Sequence, residues 1–208
     1  MIAIVDYGMG NLRSVEKGVA RAGVPTVVTG DPQQIRSARG VVLPGVGAFG
    51  ACMENLARGG LADVVREVVR SGTPFLGICL GLQLLFEESE EFGPVRGLGI
   101  LPGRVVRFAG PAPVGLKIPQ IGWNQLRIER PVAELEGVGE SPYVYFVHSY
   151  YVVPSDAALT VASTEYGIRF TAAIAWKNVF ACQFHPEKSQ VIGLRILENF
   201  VSRVKASS

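Results

Sequence analysis

Residues 73–83 read Thr-Pro-Phe-Leu-Gly-Ile-Cys-Leu-Gly-Leu-Gln, and this stretch decides the fold. The apolar run at residues 75–78 predicts a short buried strand, and apolar residues at helical spacing follow it. Cys79 lies at the junction between Gly77 and Gly81, where a strained backbone requires small neighbours two residues before and after. The pattern is typical of a nucleophile elbow with cysteine in place of serine. N–H groups at the start of the helix would favour the thiolate.

The Gly-x-Cys-x-Gly pattern alone fits a second interpretation equally well. Free cysteine is among the most buried residue types, so Cys79 could be a packed core residue without a chemical role. The choice between nucleophile and core residue therefore depends on the rest of the chain.

The composition is that of a globular protein and gives no sign of a nucleic-acid or membrane partner. Of the 208 residues, 48% are hydrophobic and 18% are charged, and the formal net charge is +2. No apolar stretch approaches the ~18 residues of a membrane span. The three cysteines, Cys52, Cys79 and Cys182, show no paired spacing, and the N-terminus lacks the basic region of a signal peptide. We therefore expect free thiols in a reducing compartment, the cytoplasm.

Strand and helix patterns alternate through the first half of the chain. We predict strands at residues 2–5, 26–28, 41–43 and 75–78, and helices at 12–22, 51–58, 61–70 and 80–88. From residue 105 onward the patterns are mostly those of strands and turns, before a last helix at 191–204. The alternation predicts one α/β domain over residues 1–208, with a mixed, mostly parallel sheet flanked by helices and extra strands in its C-terminal half.

A glycine-rich loop follows the strand at residues 41–43. Residues 44–50 read Pro-Gly-Val-Gly-Ala-Phe-Gly and fall where open α/β sheets place their sites. The loop could be an ordinary flexible turn. Because Cys79 ends a neighbouring predicted strand, we favour a role in which backbone N–H groups of the loop bind a developing oxyanion.

The chain offers two histidines as a base for Cys79. His148 lies inside an apolar β-prone run, where a satisfied core histidine is expected. His185 precedes Pro186 and Glu187, and residues at i and i+2 of an extended segment point the same way, so Glu187 could hold the imidazole. Cysteine, histidine and acid together predict acyl transfer from an amide or ester, with neither a metal nor a cofactor required.

An acidic run, Glu-Glu-Ser-Glu-Glu, occupies residues 87–91 at the C-terminus of the predicted helix. Negative charge there opposes the helix dipole. Two interpretations remain from the residues alone: a solvated helix end, which we favour, and a carboxylate site for an ammonium group.

Residues 77–83 together with His185, Pro186 and Glu187 resemble the class I (triad) glutamine amidotransferases. Further motifs make the chain similar, more narrowly, to the glutaminase subunits of imidazole glycerol phosphate synthases, and this resemblance covers nearly the whole chain. These motifs are Asp-Tyr-Gly-Met-Gly-Asn at residues 6–11, the loop at 44–50, Gly-Trp-Asn at 122–124, Tyr-Phe-Val-His-Ser-Tyr at 145–150 and Phe-His-Pro-Glu-Lys-Ser at 184–189. The resemblance implies a flavodoxin-like fold.

The resemblance also implies a role for each matching residue. Cys79 would attack the side-chain amide of glutamine, His185 would act as base and then acid, and Glu187 would orient His185. The oxyanion would be bound by the N–H of Leu80 and, after a peptide reorients, by the loop of Gly45, Val46 and Gly47. Glutamine would be contacted by Gln83, Glu91 and the backbone around His148, Ser149 and Tyr150. For Glu91, this replaces the solvated-end interpretation with a contact to the α-ammonium group.

A partner subunit is implied by the same resemblance. Ammonia would pass to a (β/α)₈-barrel cyclase subunit, which forms imidazole glycerol phosphate and an aminoimidazole carboxamide ribotide in histidine biosynthesis. Positions matching the interface with this partner are Asn11, Trp123, Tyr145 and Lys188. Since free ammonia is wasteful, we expect low glutaminase activity in the isolated chain.

Three alternatives stay open at this stage. The chain could be a stand-alone cysteine hydrolase of γ-glutamyl compounds, or the glutaminase subunit of another amidotransferase, such as that for anthranilate or aminodeoxychorismate. It could also be a non-enzymatic flavodoxin-like module in which Cys79 is merely packed.

Overall fold

The structure is a computed structural model that describes residues 1–108 and 116–207. The loop predicted at residues 109–119 lies largely outside the described residues.

The N-terminal half alternates strands and helices, as the sequence predicts. Its elements are β1 (Ile2–Val5), α1 (Leu12–Ala20), β2 (Thr26–Thr29), α2 (Pro32–Arg36), β3 (Gly40–Gly45), α3 (Phe49–Arg58), α4 (Leu61–Arg70), β4 (Phe75–Cys79) and α5 (Leu80–Gln83). The start of α2 illustrates the local chemistry, because Asp31 caps it by accepting from the N–H of Gln33 at 2.8 Å and Pro32 occupies its first position.

The C-terminal half is mostly β-structure and closes with a long helix. Its elements are β5 (Phe86–Ser89), β6 (Val95–Arg96), β7 (Leu101–Arg107), β8 (Gln120–Gln125), β9 (Arg127–Ile128), β10 (Tyr143–His148), β11 (Tyr150–Pro154), β12 (Thr160–Glu165), β13 (Arg169–Trp176), β14 (Val179–Cys182) and α6 (Gln190–Ala206). Short 3₁₀ turns lie at Ala133–Leu135, Ala157–Leu159 and Pro186–Lys188.

The central sheet within the described residues has the strand order β2-β1-β3-β4-β14-β13-β12-β9. Strands β2, β1, β3, β4 and β14 are parallel, and the remaining three are antiparallel additions. The parallel order is that of flavodoxin-like proteins, whose sites lie at the carboxyl edge of the sheet. The predicted mixed, mostly parallel sheet is therefore confirmed.

Helices cover both faces of this sheet. Along β1, Ala3 and Val5 pack in the cluster that contains apolar residues of α2, α3 and α4, whereas Ile2 and Ile4 pack in the cluster formed with α1 and α6. Both faces of β1 are thus buried, which explains its uninterrupted apolar sequence. None of the described helices combines the length and apolar character needed to cross a membrane.

Two smaller sheets adjoin the carboxyl edge of the central sheet. One is the antiparallel pair of β10 and β8, and the other has the order β11-β7-β5-β6. Strand β10 alternates buried and outward-facing residues, so Val144, Phe146 and His148 point inward while Tyr143 and Tyr145 face outward.

The predicted helix at residues 80–88 is wrong beyond its first turn. α5 ends at Gln83, and residues 86–89 form β5, which pairs with β7. The backbone carbonyls of Leu84, Leu85 and Phe86 accept from N–H groups of residues 98–101 rather than from a continuing helix. Apolar spacing could not reveal this competition, because the donors come from another segment.

Candidate active site

Cys79 ends β4 in a backbone conformation that residues other than glycine rarely adopt. Its φ is 55° and its ψ is −109°. A Cβ on Gly77 would lie 2.9 Å from the Cβ of Ala181, and a Cβ on Gly81 would collide with the carbonyl oxygen of Leu43. The predicted elbow is confirmed as a backbone structure, since two crowded glycines flank a strained cysteine.

His185 and Glu187 form a buried pair beside Cys79. His185 Nδ1 lies 2.8 Å from Glu187 Oε1, and the two side chains are 2% and 1% exposed. The sequence prediction of their contact is confirmed, but the predicted extended geometry is wrong. Glu187 lies in the 3₁₀ turn Pro186–Lys188, which curls the carboxylate back onto the imidazole.

The electrostatics of the pair favour a protonated imidazole. Burial lowers the pKa of His185, but the neighbouring Cys79 and Glu187 outweigh burial and raise this pKa from 6.5 to about 9. His185 Nε2 and Glu187 Oε2 are buried and have no hydrogen-bond partner of normal geometry among the described residues. His185 and Cys79 are therefore close enough to interact electrostatically, while their geometry falls outside that of a normal hydrogen bond.

A cavity of about 350 Å³ opens over the sulfur, a size that suits a small ligand. Most of the residues predicted for the site line it. The lining residues are Val46, Gly47, Cys79, Leu80, Gln83, Glu91, Pro119, Val147, His148, Ser149, Tyr150 and His185. Gly45 and Glu187 are not part of the lining and lie behind it.

The last residue of β3 and the loop after it approach the elbow closely. Gly45 pairs with Cys79 in the β3–β4 register, and a Cβ on Gly45 would lie 2.8 Å from the Cβ of Leu80. Buried groups beneath the loop orient its carbonyls: the Tyr7 hydroxyl donates to Pro44 O at 2.8 Å, and the Cys52 thiol lies 3.5 Å from Val46 O. The loop thus runs over the elbow with its carbonyl groups held from the core.

Glu91 connects the cavity to the first turn of α3. Its Oε2 accepts from the N–H of Phe49 at 2.7 Å, and Ala48, at the N-cap position, has no side chain that could do so. From the residues alone we favoured a solvated helix end for the acidic run at residues 87–91, and this prediction is wrong. The run belongs to β5 and the turn after it, and Glu87 and Glu90 accept from the N–H groups of Gly103 and Arg107.

Two side-chain amides link the cavity to the sulfur. Gln83 Nε2 donates to Tyr150 O at 3.0 Å and to Gln183 Oε1 at 2.9 Å, and Gln183 Nε2 donates to Cys79 Sγ at 3.6 Å. Gln183 was not among the residues predicted for the site. The available signal was an amide directly after the apolar run of residues 179–182 and two residues before His185.

His148 is a satisfied core histidine, as the sequence predicts. Nδ1 lies 2.8 Å from Tyr150 O, and Nε2 lies 3.0 Å from the side-chain amide of Gln120. Burial lowers the pKa of His148 to about 4, so its ring is neutral at pH 7. With both nitrogens occupied, the ring is not a base for Cys79.

Three of the four predicted interface residues form one cluster. The Trp123 and Tyr145 rings meet edge to face with centroids 6.0 Å apart, and Lys188 Nζ lies 5.8 Å from the centroid of Tyr145. Trp123 is 46% exposed. Asn11 lies outside this cluster, at the start of α1, where its side chain makes no capping hydrogen bond.

The described parts of the chain contain no cluster of three or more His, Cys, Asp or Glu residues arranged to hold a metal ion.

Comparison with known proteins identifies relatives over nearly the full length. The family model for class-I glutamine amidotransferases matches residues 3–204. The chain is 57% identical over 203 residues to imidazole glycerol phosphate synthase subunit HisH of Syntrophotalea carbinolica, with 96% of this chain and 98% of the relative covered. It is 54% identical over 203 residues to the protein of the same name in Geobacillus kaustophilus, with coverage of 97% and 96%.

Solved structures support the same architecture at lower identity. A glutamine amidotransferase crystal structure superposes with a TM-score of 0.76 at 20% identity, covering 99% of this chain and all of the other. A chain of PurLQS from Thermotoga maritima gives 0.74 at 19% identity, with 99% and 97% covered. These likenesses establish the fold.

Proposed function

Because the chain belongs to the class I glutamine amidotransferase family, we propose that it is the glutaminase subunit of an imidazole glycerol phosphate synthase. In this role it hydrolyses L-glutamine to glutamate and ammonia. The observation that carries the proposal is a strained Cys79 that lines one cavity with His185, which is buried against Glu187. The chain is also more than half identical to subunits of that name.

The chemistry follows from the arrangement of three side chains. The Cys79 thiolate attacks the amide carbon of glutamine, and protonated His185 delivers its proton to the nitrogen that leaves as ammonia. A water molecule then attacks the thioester while His185 removes a proton from that water, and glutamate is released. Glu187 holds the imidazole through Nδ1, which leaves Nε2 directed at the reacting atoms.

The oxyanion of each tetrahedral intermediate is bound by backbone donors. Leu80 contributes its N–H from the first residue of α5, and the loop of Gly45, Val46 and Gly47 contributes a second donor after one peptide reorients. The carbonyls of Pro44 and Val46 are held from below by Tyr7 and Cys52, so this loop has a defined resting state. Docking of a partner that shifts the loop would raise glutaminase activity.

The cavity suits the zwitterionic end of glutamine. Glu91 offers a carboxylate to the α-ammonium group, and Gln83 with the backbone of His148, Ser149 and Tyr150 lines the remaining wall. Charge-assisted hydrogen bonds of this kind are roughly twice as strong as neutral ones. Substrate choice would then depend on the α-amino group as well as the side-chain amide.

The partner we propose is a cyclase subunit with a (β/α)₈-barrel fold, which receives ammonia and forms imidazole glycerol phosphate in histidine biosynthesis. Asn11, Trp123, Tyr145 and Lys188 form the proposed contact surface. Three buried free cysteines fit a reducing compartment, and on that ground we propose the cytoplasm.

The experiment that tests this function measures glutamate release from L-glutamine by the purified chain, alone and with the cyclase subunit and its nucleotide ligand, with Cys79→Ala as the control. We expect activity that depends on the cyclase subunit and is absent in the variant. Equal activity without a partner would indicate a stand-alone hydrolase, and no activity in either condition would contradict the proposal.

A further inference from the structure

We propose that Gln183 is a positioning residue that holds the sulfur of Cys79 from the core side and favours its thiolate through an oriented chain of amides. The inference extends the proposed function, since it concerns the sulfur that we propose as nucleophile. It assigns a task to a side chain that the triad chemistry does not use.

The sheet register brings Gln183 to the sulfur. Strands β14 and β4 are parallel with Cys182 opposite Ile78, so the residue after β14 reaches the level of Cys79. Gln183 is fully buried, and its backbone N–H donates to Ala172 O at 2.8 Å. It does not line the cavity over the sulfur. It therefore contacts Cys79 from within the core and not from the cavity wall.

The direction of the amide chain is fixed at its far end. The Tyr150 backbone carbonyl can only accept, so Gln83 must turn its NH₂ group toward it. The same NH₂ group also faces Gln183, which must therefore present its oxygen to Gln83 and its own NH₂ to the sulfur. A reversed Gln183 would set two NH₂ groups against each other. The backbone thus specifies that Gln183 donates to Cys79.

A donor in this position favours one form of the sulfur. A thiolate only accepts hydrogen bonds, and a bond to an ionised acceptor is stronger than one to a neutral thiol. The titratable groups near the sulfur include His185 with Glu187 behind it, Cys52, Cys182 and Tyr7. Glu91, His148 and Tyr150 line the same cavity, and the His148 ring is neutral at pH 7. Burial raises the pKa of Cys52 to about 11 and raises the pKa values of Cys182 and Tyr7, so these last three are neutral at pH 7 as well. Gln183 is therefore an uncharged donor in addition to the cation of His185.

The test is the pH dependence of Cys79 alkylation by iodoacetamide in the full-length chain, with the labelled cysteine identified by peptide mass spectrometry. Gln183→Leu removes the donor and keeps most of the volume. We expect the midpoint of the alkylation rate to rise by about one pH unit. The matched control is Gln120→Leu, which removes another buried amide that contacts His148 and not the sulfur. Its midpoint should equal that of the wild type.

Two outcomes would overturn the proposal: an unchanged midpoint in a folded Gln183 variant, or an equal rise in Gln120→Leu, which would indicate general loosening. Circular dichroism reports whether each variant folds. If Gln183→Leu does not fold, two other variants replace it. Gln183→Met has an unbranched side chain, and Gln83→Leu leaves Gln183 free to reverse. We expect the alkylation midpoint to rise in both. Because alkylation requires no glutamine, failure of this proposal is distinguishable from failure of the proposed function.

Discussion

Gly81 is the residue on which the elbow depends most directly. A Cβ at this position would run into the carbonyl oxygen of Leu43, which is backbone and has little room to move. We expect Gly81→Ala to lower the free energy of unfolding by roughly 1–3 kcal/mol or more, the usual cost of overpacking. Denaturant titration measures this change.

Gly50 provides the matched control for Gly81. It lies in α3, and a Cβ there would meet only Val95 side-chain atoms at 3.8 Å or more. Because alanine has the higher helix propensity, Gly50→Ala should be neutral or stabilising by up to about 1 kcal/mol. Equal destabilisation by both variants would contradict the steric explanation.

The raised pKa of His185 makes stability depend on pH. The folded-state pKa of about 9 lies above the ordinary 6.5, so the folded state binds this proton more tightly than the unfolded chain. The stabilisation is complete below pH 6.5 and is lost as the pH rises through about 9. We therefore expect the free energy of unfolding to fall between these values, by on the order of 1–3 kcal/mol.

A variant isolates the contribution of the acid to this pH dependence. Glu187→Gln removes one of the two groups that raise the pKa of His185. The fall in stability between pH 6.5 and 8 should become smaller in this variant, as followed by urea unfolding at each pH. Cys52 and Cys182 contribute in the same direction only near and above about pH 8.5, where the unfolded thiols ionise. An identical pH profile in both proteins would refute the assignment.

Residue identity and spacing were enough to predict some members of the site. Cys79 is marked by its flanking glycines, and His185 by an acid two positions later. The sequence did not predict the contacts of Tyr7, Cys52 and Gln183. Each of these residues contacts a partner 37 to 104 positions away in the chain. Such contacts depend on strand register, which a single sequence does not display.

At the scale of elements, α5 and β5 show where local pattern fails. Residues 80–86 are buried on every side, and all of them except Gly81 and Gln83 are large and apolar. Such a pattern does not distinguish helix from strand. The outcome was decided by the N–H groups of residues 97–101, which occupy the carbonyls that a longer helix would need. By contrast, α4 has one apolar face and a polar face, and its predicted bounds match the structure.

Glu91 accepts a hydrogen bond at the start of α3 and also lines the cavity, so its substitution should affect both stability and KM. Glu91→Gln removes an anionic acceptor from the N–H of Phe49, so we expect a loss of about 0.5–1 kcal/mol in the free energy of unfolding. If Glu91 also meets the α-ammonium group of glutamine, KM should rise roughly tenfold or more. Steady-state kinetics in the presence of the cyclase subunit measures the second effect.

Glu88→Gln is the control for this prediction. Glu88 is an exposed acid on β5, close in sequence to Glu91 but absent from the cavity lining. It should leave KM unchanged and alter stability by less than about 0.5 kcal/mol. If KM stayed unchanged in Glu91→Gln, or rose equally in both variants, Glu91 would no longer be a proposed substrate contact.

At the scale of the molecule, the site exists because separate segments end at one edge of one sheet. β3 delivers the loop, β4 delivers Cys79, and the chain beyond β14 delivers Gln183 and His185. The alternation of strands and helices in the first half predicted a parallel sheet, but neither the strand order nor the parallel position of β14. The four-stranded sheet supplies Tyr150 from β11 and carries Glu91 just after β5. It had no comparable signal, because β7 pairs with both β11 and β5 across intervening segments of the chain.

The outer face of the β8–β10 pair is the surface we expect the cyclase subunit to cover. Ile121, Trp123 and Tyr143 are 62%, 46% and 57% exposed, and they surround Tyr145, which contacts both Trp123 and Lys188. Tryptophan and tyrosine at the centre of an interface commonly contribute 2 kcal/mol or more to binding. We therefore expect Trp123→Ala to weaken the complex by roughly 30-fold or more in Kd, measured by titration calorimetry.

The same substitution should hardly affect the isolated chain, because Trp123 loses only a cross-strand contact worth about 0.2–1 kcal/mol. Val153→Ser serves as the control, since Val153 is exposed on β11, in a different sheet, and should bind the cyclase subunit as the wild type does. If Trp123→Ala kept full affinity while its thermal unfolding stayed normal, the partner would have to dock elsewhere. The ammonia route would then begin at another surface, and the aromatic cluster would need an explanation independent of the partner.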